Sequence, residues 1–205
     1  MKKPTDRISD DDFEAMRRAL ARRSDLTDAQ KYNILSLYSW EGGLKDGGNG
    51  VIAGLTRTFL RSIDEKAPKT AADTIDLYLQ YMDESMGTVG GRGVIDKIND
   101  PAAGAAFVDT IFYQGRGEGT ALIQRAINDV RRQSGQMTIS EDRQMGPGTL
   151  AAYQELVRNP ITRAKLLRAL ADQRRQWSTE QDDEHDQAKD KEPNPSDVIR
   201  FNWFR

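Results

Sequence analysis

Residues 35–56 read LSLYSWEGGLKDGGNGVIAGLT, and this stretch decides the fold. Upstream, Thr27-Asp28-Ala29-Gln30 has the pattern of a capping box, in which a Thr hydroxyl and a Gln side chain satisfy the first free backbone N–H groups of a helix. Ile34, Leu35, Leu37 and Tyr38 continue it as an apolar stripe, so the pattern predicts a helix to about Trp40. The run from Gly42 to Gly54 cannot extend that helix. Asp46-Gly47 and Asn49-Gly50 are hairpin-turn signals, flanked by short runs at 43–45 and 51–53. One small β-hairpin beside Glu41 is predicted, in a chain that otherwise reads as helical.

Working outward, helices are expected over 10–22, 56–63, 70–84, from Pro101 through PAAGAAFVDTIFYQG, over 118–132 and 150–157, and from Pro160 to about Trp177. Phe107, Ile111, Leu122, Ile127 and Leu150 are the expected core of the C-terminal half. The expected divisions are an N-terminal arm or helix (1–26), a segment 27–100, a helical segment 101–178, and a charged linker with an aromatic tail (179–205). The tail VIRFNWFR is expected to dock back on the folded part.

Composition narrows the chemistry. The 205 residues include 30 basic and 32 acidic side chains, so no global field favours nucleic acid. There is no cysteine and one histidine, His185, which removes thiolate metal sites and makes a Ser-His-Asp triad untenable. No cofactor or metal is implied, and carboxylates are left as the proton carriers. No stretch approaches the ~20 apolar residues of a membrane span, and no signal-peptide pattern opens the chain. Synthesis in the cytoplasm is expected.

Glu41 is the leading candidate acid. Hydrolysis of a glycosidic bond needs a proton for the leaving oxygen and a second group to stabilise the oxocarbenium-like centre. An acid at the end of a helix is held on rigid scaffold, and an apolar wall such as Tyr38 or Trp40 favours its protonated form. Gly42-Gly43 lets the backbone turn sharply and leaves room for a sugar. Asp46 is the natural partner, and Trp40, Tyr38, Asn49 and Thr56 are candidate sugar-contacting groups. The bland alternative is a solvated acid at a helix end followed by an ordinary turn. Asp109 is expected to be structural, bonded to a neighbouring loop, and Arg163, Arg168, Arg174 and Arg175 to line a solvent face.

Three stretches in order resemble glycoside hydrolase family 108, the N-acetylmuramidases of phage endolysins and secretion-associated lysozymes. The first is Trp40-Glu41-Gly42-Gly43, Asp46-Gly47-Gly48 and Gly54-Leu55-Thr56. The second joins Asp109, Gln114-Gly115 and Ile123-Gln124 to Asp142-Arg143-Gln144-Met145-Gly146-Pro147-Gly148-Thr149-Leu150, where Arg143 stands at a glycine of the family pattern. The third is Asn194-Pro195 with Phe201-Asn202-Trp203-Phe204-Arg205. Glu41 and Asp46 are closer together than the family's two acids.

The resemblance implies a mainly α, lysozyme-like fold with a small hairpin next to a catalytic Glu41 and a helical, peptidoglycan-binding C-terminal lobe packed on it. It implies a muramidase cutting the β-1,4 bond between N-acetylmuramic acid and N-acetylglucosamine. Its partners would be peptidoglycan glycan strands. Action in the periplasm or cell wall would follow delivery through a holin or a secretion machine, the latter with an immunity protein. The competing expectations are a non-catalytic peptidoglycan-binding or assembly module on the same scaffold, and a helical interaction protein.

Overall fold

The computed structural model describes residues 7–44 and 51–186, with 180–186 as backbone only. The protein is mainly α. It divides into two compact units, Met1–Ala105 and Ala106–Arg205. The division falls within the helix Pro101–Gln114.

In the first unit, α1 (Asp10–Ala21) is opened by Ser9, whose hydroxyl accepts the Asp12 N–H at 3.1 Å. The helix α2 (Asp28–Trp40) carries the full expected capping box between Thr27 and Gln30. Thr56 caps α3 (Arg57–Ser62), and Thr70 with Asp73 forms a second capping box on α4 (Ala71–Met86). A short helix, α5 (Val94–Ile98), was not expected from the pattern. It follows two 3-10 turns, Gly87–Val89 and Gly91–Gly93.

α1 packs on α2 and α4, and α2 packs on α5. Phe13, Met16 and Leu20 are buried with Ile34, Leu37, Ile75 and Met82. The N-terminal helix is therefore part of this core and not a loose arm. Each such side chain contributes ~1.5–3 kcal/mol by leaving water.

The glycine-rich run after α4 is organised by Asp83. Its carboxylate accepts the Arg92 N–H at 2.8 Å and the Arg92 Nε–H at 2.8 Å. Burial pushes this carboxyl up, but the Arg92 bonds outweigh it and hold it below the ordinary value. Gly91 lies at φ +55, and a Cβ there would run into the Asp83 carboxylate.

In the second unit, α6 (Pro101–Gln114) enters from Ala106, followed by α7 (Arg116–Gln133), α8 (Pro147–Arg158) and α9 (Pro160–Asp186). Phe107, Ile111, Leu122, Ile127 and Leu150 are all buried, as expected. Phe107 meets Tyr153 edge-on, with ring centroids 4.9 Å apart. α7 and α8 both pack on α9.

Helix α9 runs past Trp177 to Asp186, into the stretch read as a linker. Adding a residue to a formed helix costs little, and nothing before Asp186 interrupts it with Pro or Gly. The expected docking tail lies outside the described residues.

No strand occurs among the described residues; Ile52 and Leu55 form an isolated antiparallel bridge. The turn signals Asp46-Gly47 and Asn49-Gly50 lie outside the described residues. The turn that is described sits further on, at Ala53-Gly54. Both residues have positive φ, +52 and +72, as a two-residue hairpin turn of type I′ requires.

Candidate functional site

Glu41 is the C-cap of α2. The chain leaves the helix through Gly42 (φ +81) and Gly43 (φ +73). The Gly43 N–H donates to the Tyr38 carbonyl at 2.9 Å and the Gly42 N–H to the Ser39 carbonyl at 3.3 Å. This nested pair is the Schellman motif, which satisfies the last carbonyls of a helix and needs a left-handed residue just past its end. The Arg7 guanidinium donates to the Trp40 carbonyl at 3.3 Å, adding a cation at the negative end of α2. Gly-Gly thus has a structural cause, and it fixes the direction in which Glu41 projects.

The Glu41 side chain is half-buried, with its Oε1 withdrawn from solvent. Its carboxyl lies against Gly54, where a Cβ would stand 2.6 Å from the Glu41 Cδ and 2.7 Å from Oε2. The Gly54 turn is held from three sides. Ile52 and Leu55 exchange backbone hydrogen bonds of 3.3 and 2.9 Å. Ala53 and Leu55 are buried. The Tyr78 hydroxyl on α4 donates to the Ala53 carbonyl at 2.8 Å.

The other candidates fall in different places. Asp46 and Asn49 lie outside the described residues. Tyr38 and Trp40 are 0% and 1% exposed, so neither ring presents a face to a sugar; the sequence reading of them as contact residues is corrected here. The reason is that this end of α2 is enclosed all round: every residue from Asn33 to Trp40 is buried. Burial pushes the Tyr38 phenol up to about 12, with the Asp12 carboxylate adding to it. Thr56 is exposed, and its hydroxyl is engaged by the Phe59 N–H at 3.1 Å as the cap of α3.

Gly54 lies against the Glu41 carboxyl, and Tyr78 bonds the turn that carries Gly54. Gly54 stood in the quoted Gly-Leu-Thr pattern, but nothing local marked it as a neighbour of Glu41. Tyr78 read as one more apolar-stripe residue of α4, and its hydroxyl gives no sequence signal. Neither the groove between α1 and α2, about 430 Å³, nor that between α7 and α9, about 510 Å³, includes Glu41 among its walls.

In the second unit, the residues of the second quoted stretch do converge. Gln124 is buried, and its amide nitrogen donates to Asp142 Oδ1 (2.8 Å), Thr149 Oγ1 (3.2 Å) and the Gln144 carbonyl (3.3 Å). Its amide oxygen accepts the Arg143 N–H at 3.0 Å. One side chain thereby clamps the 142–149 loop to α7. The Gln144 N–H and then the Gln124 amide hold the Asp142 carboxyl below its ordinary value.

Arg143 adopts φ +62, the conformation glycine supplies without strain, so an arginine here holds a glycine-like backbone. Its guanidinium reaches Glu118 at 2.7 Å. Asp109 pairs with Arg174 of α9 at 2.7 Å, and both side chains are almost fully buried. The expected solvent position of Arg174 is corrected by this pair, which also gives Asp109 a structural role. The Tyr113 ring lies 5.9 Å from the Arg174 guanidinium carbon.

Among the described residues, no group of three or more His, Cys, Asp or Glu could hold a metal ion, and no helix is long and apolar enough to cross a membrane. Comparison with protein-family models, with curated proteins and with solved structures yields no match for this chain.

Proposed function

We propose that this protein is a peptidoglycan hydrolase, a muramidase of lysozyme-like architecture. Its Glu41 donates the proton to the leaving glycosidic oxygen as the C1–O bond breaks. The observation that carries the reading is the seating of the Glu41 carboxyl. It is half-buried, anchored at a capped helix end, and pressed against a glycine that has no room for a side chain. A solvated helix-end acid has no need of that arrangement. A proton donor does, because a fixed carboxyl spends no reorganisation at the moment of reaction.

Asp46, five residues on, is proposed as the group that stabilises the developing positive charge or orients water. The proposed hairpin would carry it across from Glu41, together with Asn49. Thr56 is left as a candidate sugar contact by its exposure. Delivery to the wall, through a holin or a secretion machine with an immunity protein, belongs to the same proposal.

The test is a peptidoglycan zymogram with reducing-sugar release, on wild type and Glu41→Gln. Wild type should clear the gel and release sugar, and the Gln variant should do neither, since an amide has no acidic proton to give. Equal clearing by both would end the proposal. Retention on insoluble peptidoglycan without sugar release from wild type would instead support a non-catalytic wall-binding module.

A further inference from the structure

Tyr78 lies in the middle of α4 and is 0% exposed. A buried phenol must place its O–H on an acceptor, and this one donates to the Ala53 carbonyl. Ala53 is a non-glycine residue at φ +52, a conformation that persists only where the surroundings over-determine it. The next residue, Gly54, is the one against which the Glu41 carboxyl rests. A chain of contacts therefore runs from α4, through one hydroxyl, into a strained turn and on to the acid.

The helix that presents the hydroxyl is itself well fixed. Its N-terminus is closed by the Thr70–Asp73 box, and Asp83 near its other end is tied to Arg92. Ile75, Leu79 and Met82 around Tyr78 are buried.

We propose that Tyr78 is the positioning residue for Glu41: its hydroxyl latches the 52–55 turn and so sets where the Glu41 carboxyl rests. The consequence for catalysis rests on the reading of Glu41 as proton donor, whereas the latch itself does not. Removing the hydroxyl leaves the Ala53 carbonyl buried without that donor and lets the turn relax away from Glu41. A displacement of about 1 Å at a reacting group is enough for a loss on the order of 100-fold. Because the turn touches the acid, the loss should fall on kcat, with KM little changed.

The experiment compares Tyr78→Phe with Thr74→Val. Thr74 is also buried on α4, and its hydroxyl bonds the Thr70 carbonyl at 3.1 Å, away from the turn. The Val variant thus loses a hydrogen bond in the same helix without loosening the latch. Two readouts are taken on the full chain: the side-chain carboxyl 13C resonance of Glu41, assigned by its loss in Glu41→Gln, and kcat and KM on soluble peptidoglycan fragments.

The expected result is a shifted Glu41 resonance and a kcat lowered at least about tenfold in Tyr78→Phe, with both unchanged in Thr74→Val. A shifted resonance in a protein whose wild type releases no sugar supports the latch and removes the hydrolase reading. An unshifted Glu41 resonance in Tyr78→Phe overturns the latch, whatever the activity. A resonance that shifts equally in Thr74→Val overturns it too, since general loosening of α4 would then be the cause.

Discussion

Removing the buried cation of the Asp109–Arg174 pair is the sharpest perturbation of the second unit. Arg174 is 1% exposed, and its guanidinium lies 2.7 Å from the Asp109 carboxylate on α6. Arg174→Met keeps the aliphatic stem and leaves a carboxylate inside the unit without its cation. Breaking a buried pair in this way costs ~3–5 kcal/mol, because an uncompensated charge stays behind. A domain holds only ~5–15 kcal/mol in total. At ~4–8 °C per kcal/mol for a unit of about this size, the transition should fall by at least ~12 °C.

The double variant Asp109→Leu with Arg174→Met replaces the pair with apolar side chains. It should return to wild-type stability or exceed it by up to ~4 kcal/mol, since desolvating two charges no longer has to be offset. Urea unfolding followed by far-UV circular dichroism reads both variants. Two results would refute the reasoning. One is a single variant within ~1 kcal/mol of wild type. The other is a double variant no more stable than the single one.

Gly119→Ala should destabilise by ~1–3 kcal/mol, although Ala is the better helix former by ~1 kcal/mol, because its Cβ would meet Ile111 Cα and the Thr110 carbonyl at 2.7 Å; a thermal melt checks the sign. Gly54→Ala, at φ +72 and 2.6 Å from Glu41 Cδ, should abolish sugar release and lower the melting temperature together. Arg143→Gly should gain ~1 kcal/mol by relieving the left-handed backbone, against ~0–1 kcal/mol lost with the exposed Glu118 pair, so a denaturation midpoint at or above wild type is expected. For pH, Arg23 holds the Asp25 carboxyl down to about 2, and the Asp73, Asp83 and Asp142 carboxyls are also lowered. Depressed carboxylates stabilise above their unfolded value of ~3.9, so melting temperature should hold down to pH ~5 and drop towards pH ~2. The Tyr38 phenol, raised to about 12, works in the opposite sense: stability should fall as pH climbs from its unfolded value of ~10 towards 12.

The helices were legible where the signal is local. Thr27 with Gln30 closes its capping box within four residues of chain, and Pro101 opens α6 where expected. The stripe Phe107, Ile111, Leu122, Ile127 fell in the core because periodicity alone assigns a face. The failures share one cause, a partner far away in the chain. Arg174 and Arg175 are adjacent in the same charged helix, yet Arg174 is buried on Asp109 while Arg175 pairs with its neighbour Asp172 near the surface. Nothing in the local pattern separates them. Tyr38 and Trp40 were read as a platform because aromatic residues beside an acid suit a sugar. Packing around α2 buries every residue from Asn33 to Trp40, so neither ring is left on a solvent face.

Glu41-Gly42-Gly43 first posed a choice between a helix stop and an active-site turn, and its geometry makes that choice unnecessary. The Schellman bonds account for Gly42, and Gly43 is left-handed too and packs closely on Ile8 and Asp12, so Gly-Gly by itself says nothing about chemistry. Gly54 is the position that discriminates. Its left-handed backbone favours glycine, but the preceding residue of the same turn is left-handed as well and is an alanine. The turn therefore tolerates a side chain at one of its two strained positions. What distinguishes the other is that the Glu41 carboxyl occupies the space a methyl would take. A stop signal for α2 requires Gly42 and leaves residue 54 open; a seat for the carboxyl requires Gly54. The glycine 13 positions after the acid (54 − 41) bears on function more than the two that follow it directly.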